Sequence, residues 1–453
     1  MPVFRPLTKP ALALAGVLAL AACSTSRAAT EQAHHATWRN AEVNAVSRAT
    51  VAAGVATVTS LRPDGSLETA ALDLAGGKRL WAHPAAIAGR LPGMGVQSPA
   101  AVETSPGHAI VAAVAPKRGG HGAGNAALVA HDARTGRPLW SRPVHSTFGP
   151  QRCGRLLCLS ENTALASARV VVLDPLTGKV LWKEPGIAEV EWSDAGRVVM
   201  LHLARHPVLA AHDLASGRPV WRLPVEQALA PGVDLSGGWA FGASGGDLVG
   251  YVAPYTSPKQ NKTSSFGLFS IKLADGAVNW LRPSVVRVYP SGSPGYAPVV
   301  RPVDERGQYG GFARLDPGSG RVVGQITAGQ VPGAGWWLAF PGDMARLDFL
   351  KPGGAGAAFE LPSGRATPVQ GRRGWSFCVT DPKPLPLAGG ARGFYSVASL
   401  CEFDLATGKR APAAGPPPAW FTGSQDGWRL WRDENGAVNA VQDTTGSAPG
   451  MYG

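Results

Sequence analysis

From about residue 67 onward the chain alternates short apolar runs with short polar breaks. AALVA, ARVVVL and PVLAA each have the length of a strand and lie directly before an aspartate or one residue short of it. The break that follows ends in glycine and gives way to another short segment, often carrying tryptophan. Brief apolar runs bounded by Asp, Thr and Gly predict strands joined by hairpins. No stretch after Thr37 shows a helical period, so the chain reads as all-β.

The breaks form a series. ALDLAGGKRLW supplies Asp73, glycines 76 and 77, and Trp81, while AHDARTGRPLW supplies Asp132, Gly136 and Trp140. VLDPLTGKVLW carries Asp174, Gly178 and Trp182, and AHDLASGRPVW carries Asp213, Gly217 and Trp221. Four weaker copies keep the phase: Lys272 with Gly276 and Trp280, Asp316 with Gly320, Glu360 with Gly364, and Asp404 with Gly408. Successive copies lie 59, 42, 39, 59, 44, 44 and 44 residues apart. Both long intervals contain loop-like insertions, at 115–125 and 253–267. A period near 44 residues fits one four-stranded propeller blade per copy. In each hairpin the Asp and Thr side chains can bond local amides, Gly supplies positive φ, and Trp is large enough to wedge against the next blade.

These copies resemble the PQQ-like repeat, roughly A-x-D-x-x-T-G-x-x-x-W, from about residue 67 to 409. The resemblance implies a single β-propeller over 38–446, with eight blades favoured and seven as the alternative. A strong hairpin signal around Asn435-Gly436 predicts a pairing with strands near 43–59 that closes the ring.

The amino terminus modifies this picture. Arg5 and Lys9, an apolar run from Ala11 to Ala22 and then Cys23 predict a signal peptide over 1–22. About twelve apolar residues span roughly 18 Å as a helix, too short for a hydrocarbon core of about 30 Å. Leu20-Ala21-Ala22-Cys23 resembles a lipobox, which implies lipidation of Cys23 on sulfur and a polar tether over 23–37. The expected location is the extracytoplasmic side of a bacterial membrane, held by lipid. In anchor, repeat and size the chain is similar to the propeller lipoproteins of outer-membrane β-barrel assembly. Its cysteines, composition and degenerate late copies depart from them.

Four other cysteines remain in an exported chain, and proximity pairs Cys153 with Cys158 and Cys378 with Cys401 as disulfides. With 45% apolar and only 16% charged residues, the chain can bury a large core. The net charge of +12 is mostly thinly spread arginine without a run of four, and export argues against nucleic acid.

Catalytic patterns are weak. The repeat's name raises pyrroloquinoline quinone, but dehydrogenases using it resemble larger propellers with adjacent cysteines over the quinone and carboxylate and amide ligands on calcium. No Cys-Cys occurs here, so no cofactor is expected. Residues 242–246 fit G-x-S-x-G, but both flanks read as strands where a nucleophile elbow needs a helix. His202 and His206 have i, i+4 spacing in an extended context, and no glutamate follows His202. His131 and His212 are repeat positions, and His34 and His35 lie in the tether. The expectation is no catalytic residue, no metal set, and a non-enzymatic scaffold that binds envelope proteins or polymers through its faces. The alternative is a quinoprotein or another envelope enzyme.

Overall fold

The computed structural model describes residues 38–443 except 87–95, 118–125, 145–148, 162–167, 290–298, 303–309, 331–336, 340–345, 351–355, 361–364, 370–372, 380–382, 387–391, 396–397, 405–406, 408, 414 and 418–421. The expected signal peptide, Cys23, the tether and Gly408 therefore lie outside the described residues, as does most of the 115–125 insertion.

Seven four-stranded antiparallel sheets follow one another along the described chain. Sheet 1 comprises Thr50–Ala52, Val55–Leu61, Leu67–Asp73 and Arg79–Ala85. Sheet 2 comprises Ala100–Ser105, His108–Pro116, Ala126–Asp132 and Pro138–Val144. Sheet 3 uses Gln151–Cys153, Leu156–Glu161, Arg169–Leu173 and Val180–Pro185. Sheet 4 uses Ala188–Ser193, Arg197–His202, Val208–Asp213 and Pro219–Pro224. Sheet 5 is built from Trp239–Ser244, Asp247–Val252, Gly267–Lys272 and Val278–Pro283. Sheet 6 is built from Val285–Tyr289, Val299–Pro302, Phe312–Leu315 and Val322–Ile326. Sheet 7 has Trp337–Ala339, Arg346–Leu350, Gly356–Glu360 and Arg365–Val369. Arg373–Val379 then pairs with Ala398–Asp404, and Trp428–Arg432, Val438–Gln442 and Trp38–Asn40 make a three-stranded sheet.

Sheets 1 to 5 are each apolar on both faces because each packs between neighbours. One face of sheet 4 offers Val198 and Met200 to Val170 and Val172 of sheet 3. The other offers Val199, Leu201, Leu209 and Ala211 to Leu248, Phe269 and Ile271 of sheet 5. Face-to-face stacking of successive four-stranded sheets, joined at the ends by terminal strands, is a β-propeller.

The repeat motif forms the joint between neighbours. Asp132 Oδ1 accepts from Thr135 N at 2.8 Å and Thr135 Oγ1 at 2.7 Å, and the Gly136 amide donates to the Asp132 carbonyl at 2.9 Å. Asp174, Asp213 and Asp316 repeat the arrangement with Thr177, Ser216 and Ser319. Asp404 accepts from Thr407 N at 2.9 Å. Lys272 keeps only the backbone half, through Gly276 N at 2.9 Å.

Each wedge indole donates to the carbonyl one residue past the next sheet's turn aspartate or its equivalent. Trp81 reaches Ala133, Trp140 reaches Pro175, Trp182 reaches Leu214, Trp221 reaches Leu273 and Trp280 reaches Pro317, over 2.7 to 3.0 Å. At Gly136, φ is +70° and an added Cβ would lie 2.6 Å from the Trp81 ring, so both backbone and neighbour require glycine.

Two features lie beyond the sequence pattern. The register slips once before the turn in each of sheets 1 to 6: Ala130 pairs with Trp140 but His131 with Pro138, which leaves Leu139 as an extra residue on the outer strand. The same bulge leaves Leu181, Val220 and Val323 extra in sheets 3, 4 and 6. The closing strand also differs from the expected 43–59. The hairpin's second strand pairs with Trp38–Asn40, and Trp38 donates to the Leu74 carbonyl at 2.7 Å, acting as the wedge onto sheet 1. Residues 43–59 provide single bonds instead, Ala45 N to the Gly436 carbonyl and Val51 N to Gln425 Oε1. The tryptophan dictates this choice, because only 38–40 offers a ring that fits over the Asp73 turn.

Candidate functional site

Two residues past the wedge tryptophans Trp38, Trp81, Trp140 and Trp280, a polar side chain reaches toward the next sheet, whereas past Trp221 this position is Leu223. Asn40 Nδ2 donates to the Gly77 carbonyl at 2.7 Å, His83 Nε2 lies 2.8 Å from the Gly136 carbonyl, and Arg282 Nε donates to the Gly320 carbonyl at 2.6 Å. Arg142 takes another partner, Glu161 at the end of the second strand of sheet 3, at 2.8 Å, and Arg169 meets the same buried carboxylate at 2.8 Å. In sheet 3 this position is Glu184, which has no proton to donate.

The polarity of the sheet 3–sheet 4 joint is therefore reversed. Register pairs Val198 with His212, Met200 with Ala210 and His202 with Val208, so all six share the face turned to sheet 3. His202 ends the second strand of its sheet, as Glu161 does in sheet 3. His212 occupies the position before the turn aspartate. Glu184 Oε1 lies 3.4 Å from His202 Nε2 and 3.9 Å from His212 Nε2, and the three ligand atoms all fall within 4.8 Å of one another.

His212 is 2% exposed, and its Nδ1 lies 3.1 Å from the Gly217 carbonyl. A carbonyl only accepts, so Nδ1 carries a hydrogen, and in the neutral ring the lone pair is then at Nε2. Trp182 stacks on this ring with centroids 5.7 Å apart. Neither His202 Nε2 nor His212 Nε2 makes a hydrogen bond. Burial, and then the fields of Arg222 and His212, hold the His202 pKa below its usual value against the pull of Glu184.

A second polar group lies on the first strands of sheets 4 and 5. Trp239 Nε1 donates to Glu191 Oε1 at 2.7 Å, and burial, reinforced by Glu189, pushes the Glu191 pKa up to about 8. Burial also raises the Glu189 pKa.

The other sequence candidates have separate fates. His206 contacts Glu226 at 3.2 Å, away from His202. His131 stacks on His83 with centroids 4.4 Å apart, and burial lowers its pKa to about 4. Residues 242–246 form the hairpin between Trp239–Ser244 and Asp247–Val252, with strand on both sides. Cys153 is joined to Cys158 and Cys378 to Cys401, with Cα atoms 5.8 and 5.9 Å apart. Sequence reasoning missed Glu184 because it lies outside the motif. The signal available was its column, in which it is the carboxylate among Asn40, His83, Arg142, Leu223 and Arg282.

A family model described as Outer membrane protein assembly factor BamB matches residues 24–184, about a third of the chain. No curated protein matches. BamB from Moraxella catarrhalis is 13% identical, with 88% of this chain and 95% of that one covered at a TM-score of 0.43. Quinohemoprotein alcohol dehydrogenase ADHIIG from Pseudomonas putida HK5 is 13% identical, covering 92% and 77% at 0.39. Sqt1 of Saccharomyces cerevisiae is 11% identical, covering 91% and 98% at 0.40. The continuation of the same turn to Asp404 and the stacked four-stranded sheets make this chain a β-propeller, whose residues 24–184 match the family model.

Proposed function

We propose that this chain is an exported, lipid-anchored propeller that serves as a non-enzymatic binding or assembly scaffold in the bacterial cell envelope. The observation that carries this reading is the rim. Leu181, Val220, Val278, Leu281, Val322 and Val323 are all exposed large apolar side chains on the outer strands of sheets 3 to 6. Exposed apolar surface repeated along adjacent elements favours a protein partner. The bulge gives three of these positions, Leu181, Val220 and Val323, a local cause, since the extra residue must point away from the joint that the neighbouring tryptophan fills.

Quinone chemistry is not part of this reading. The motif carboxylates among the described residues are tied into turns between third and outer strands. Glu191, on an innermost strand, is held protonated well above the usual carboxylate range and bonded by Trp239. This donor set does not fit a calcium-held quinone, and both described cysteine pairs lie in disulfides between strands.

Export and anchoring rest on Cys23 after the apolar run, and the family match begins at residue 24, directly beyond it. No helix among the described residues is long and apolar enough to cross a membrane. The partners proposed are the membrane through the lipid, and envelope proteins or polymers through the rim and the projecting hairpin of Thr256–Ser257 and Lys262–Thr263. Replacing Cys23 with Ala should abolish acyl labelling and move the protein from the membrane to the soluble fraction. An unlipidated wild type, with Cys23→Ala still membrane-bound, would defeat the anchor.

A further inference from the structure

We infer that Glu184, His202 and His212 form a binding site for one divalent transition-metal ion, of which zinc suits the donors best. Two imidazole nitrogens and one carboxylate are a recurrent zinc set, with bonds of about 2.0–2.2 Å and a fourth position left to water. Tetrahedral geometry at those lengths separates ligand atoms by roughly 3.3–3.5 Å. The carboxylate oxygen lies 3.4 and 3.9 Å from the two nitrogens, so an ion fits with small side-chain shifts.

Three further observations support a cation there. The Nδ1 hydrogen of His212 is fixed by the Gly217 carbonyl, the outer contact that orients a ligating imidazole and settles its tautomer. Both facing Nε2 atoms are buried without a hydrogen-bond partner, although an unmet buried acceptor is costly. At the preceding joint the corresponding contact is complete, because the Arg142 guanidinium brings positive charge to Glu161. Between sheets 3 and 4 the carboxylate has changed sides and faces two imidazoles in place of a guanidinium. A metal ion supplies the missing charge.

Arg222 is the opposing charge near His202, and it limits affinity without occupying the ligand positions. Among the described residues the stacked His83–His131 pair has no carboxylate beside it that would make a comparable set. The side chains of His202 and Glu184 are 12% and 15% exposed, which leaves an entry path. Bound there, the ion would tie an outer strand of sheet 3 to two strands of sheet 4. It would act independently of the scaffold role.

The test uses the untagged full chain, stripped with a chelator and titrated with Zn²⁺, with bound metal counted by mass spectrometry. One equivalent per chain is expected. Glu184→Gln and His212→Gln should each weaken binding by more than about tenfold, since even outer contacts of such sites are worth 10–100-fold, while His206→Gln leaves it unchanged. Failure to retain an equivalent overturns the proposal, as does affinity unaffected by Glu184→Gln and His212→Gln. If those variants do not fold, Co²⁺ in the wild type decides: intense visible bands of a tetrahedral site support it, and weak octahedral bands or none overturn it.

Discussion

At Gly136 the backbone has φ of +70° and the Trp81 ring stands where a Cβ would be, whereas Gly107 has φ of +74° and open space. Alanine at both positions meets left-handed strain of about 1–3 kcal/mol, but only Gly136→Ala also displaces a wedge. Urea unfolding should therefore show Gly136→Ala clearly less stable than Gly107→Ala, and equal losses would deny the wedge its role. Glu191 gives a pH signature. Its pKa rises from the usual 4.5 to about 8 on folding, so between those values the folded state holds a proton that the unfolded chain releases. Stability then falls as pH rises through this window, with the loss complete above about 8, and Glu191→Gln should flatten the decline. The turn aspartates, glycines and tryptophans were legible in the sequence because one local geometry demands the same residue types each time. Glu184 and His212 were not recognisable as neighbours, because they meet across two sheets and their partners are set by packing.

The hairpin elements follow directly from their alternation and turn chemistry, yet the bulge before the turns of sheets 1 to 6 does not. One extra residue on the outer strand costs the pattern nothing that periodicity can register, since the tryptophan simply reappears on the required face. Prolines 84, 143, 185, 224 and 283 sit near the ends of these outer strands, where a missing amide hydrogen blunts an exposed edge. The proximity pairing of Cys153 with Cys158 follows from a tight hairpin between the first two strands of sheet 3, with Gln151 opposite Cys158 and Cys153 opposite Leu156. Closing so short a loop constrains the unfolded chain by about 2 kcal/mol. The double variant Cys153→Ala, Cys158→Ala should lose about that much in denaturant titration. No loss would indicate that packing in the sheet 3–sheet 4 core holds the hairpin alone.

Over the whole molecule, the first and last described strands meet in one sheet, and Trp38 does for sheet 1 what each later tryptophan does for the sheet after it. The expected closure was right in using the Asn435-Gly436 hairpin and displaced in its partner, because 38–40 carries the wedge ring and 43–59 does not. Trp38 is 8% exposed, so Trp38→Ala should lower stability by about 3–5 kcal/mol in chemical unfolding, comparable to a core tryptophan and far above a surface change. Fold was readable at this scale because eight in-phase copies of one turn leave few architectures. Partners were not, since rim exposure depends on the bulge and on which outer strands remain uncovered. The central claim, that the rim of an anchored propeller binds envelope proteins, is tested most directly by photo-cross-linking in intact cells from positions 181, 220 and 281, followed by mass spectrometry. The account predicts the same envelope proteins captured reproducibly from these outer-strand positions, and few from the buried-joint position 210. Recovery of no reproducible partner from any rim position would contradict it.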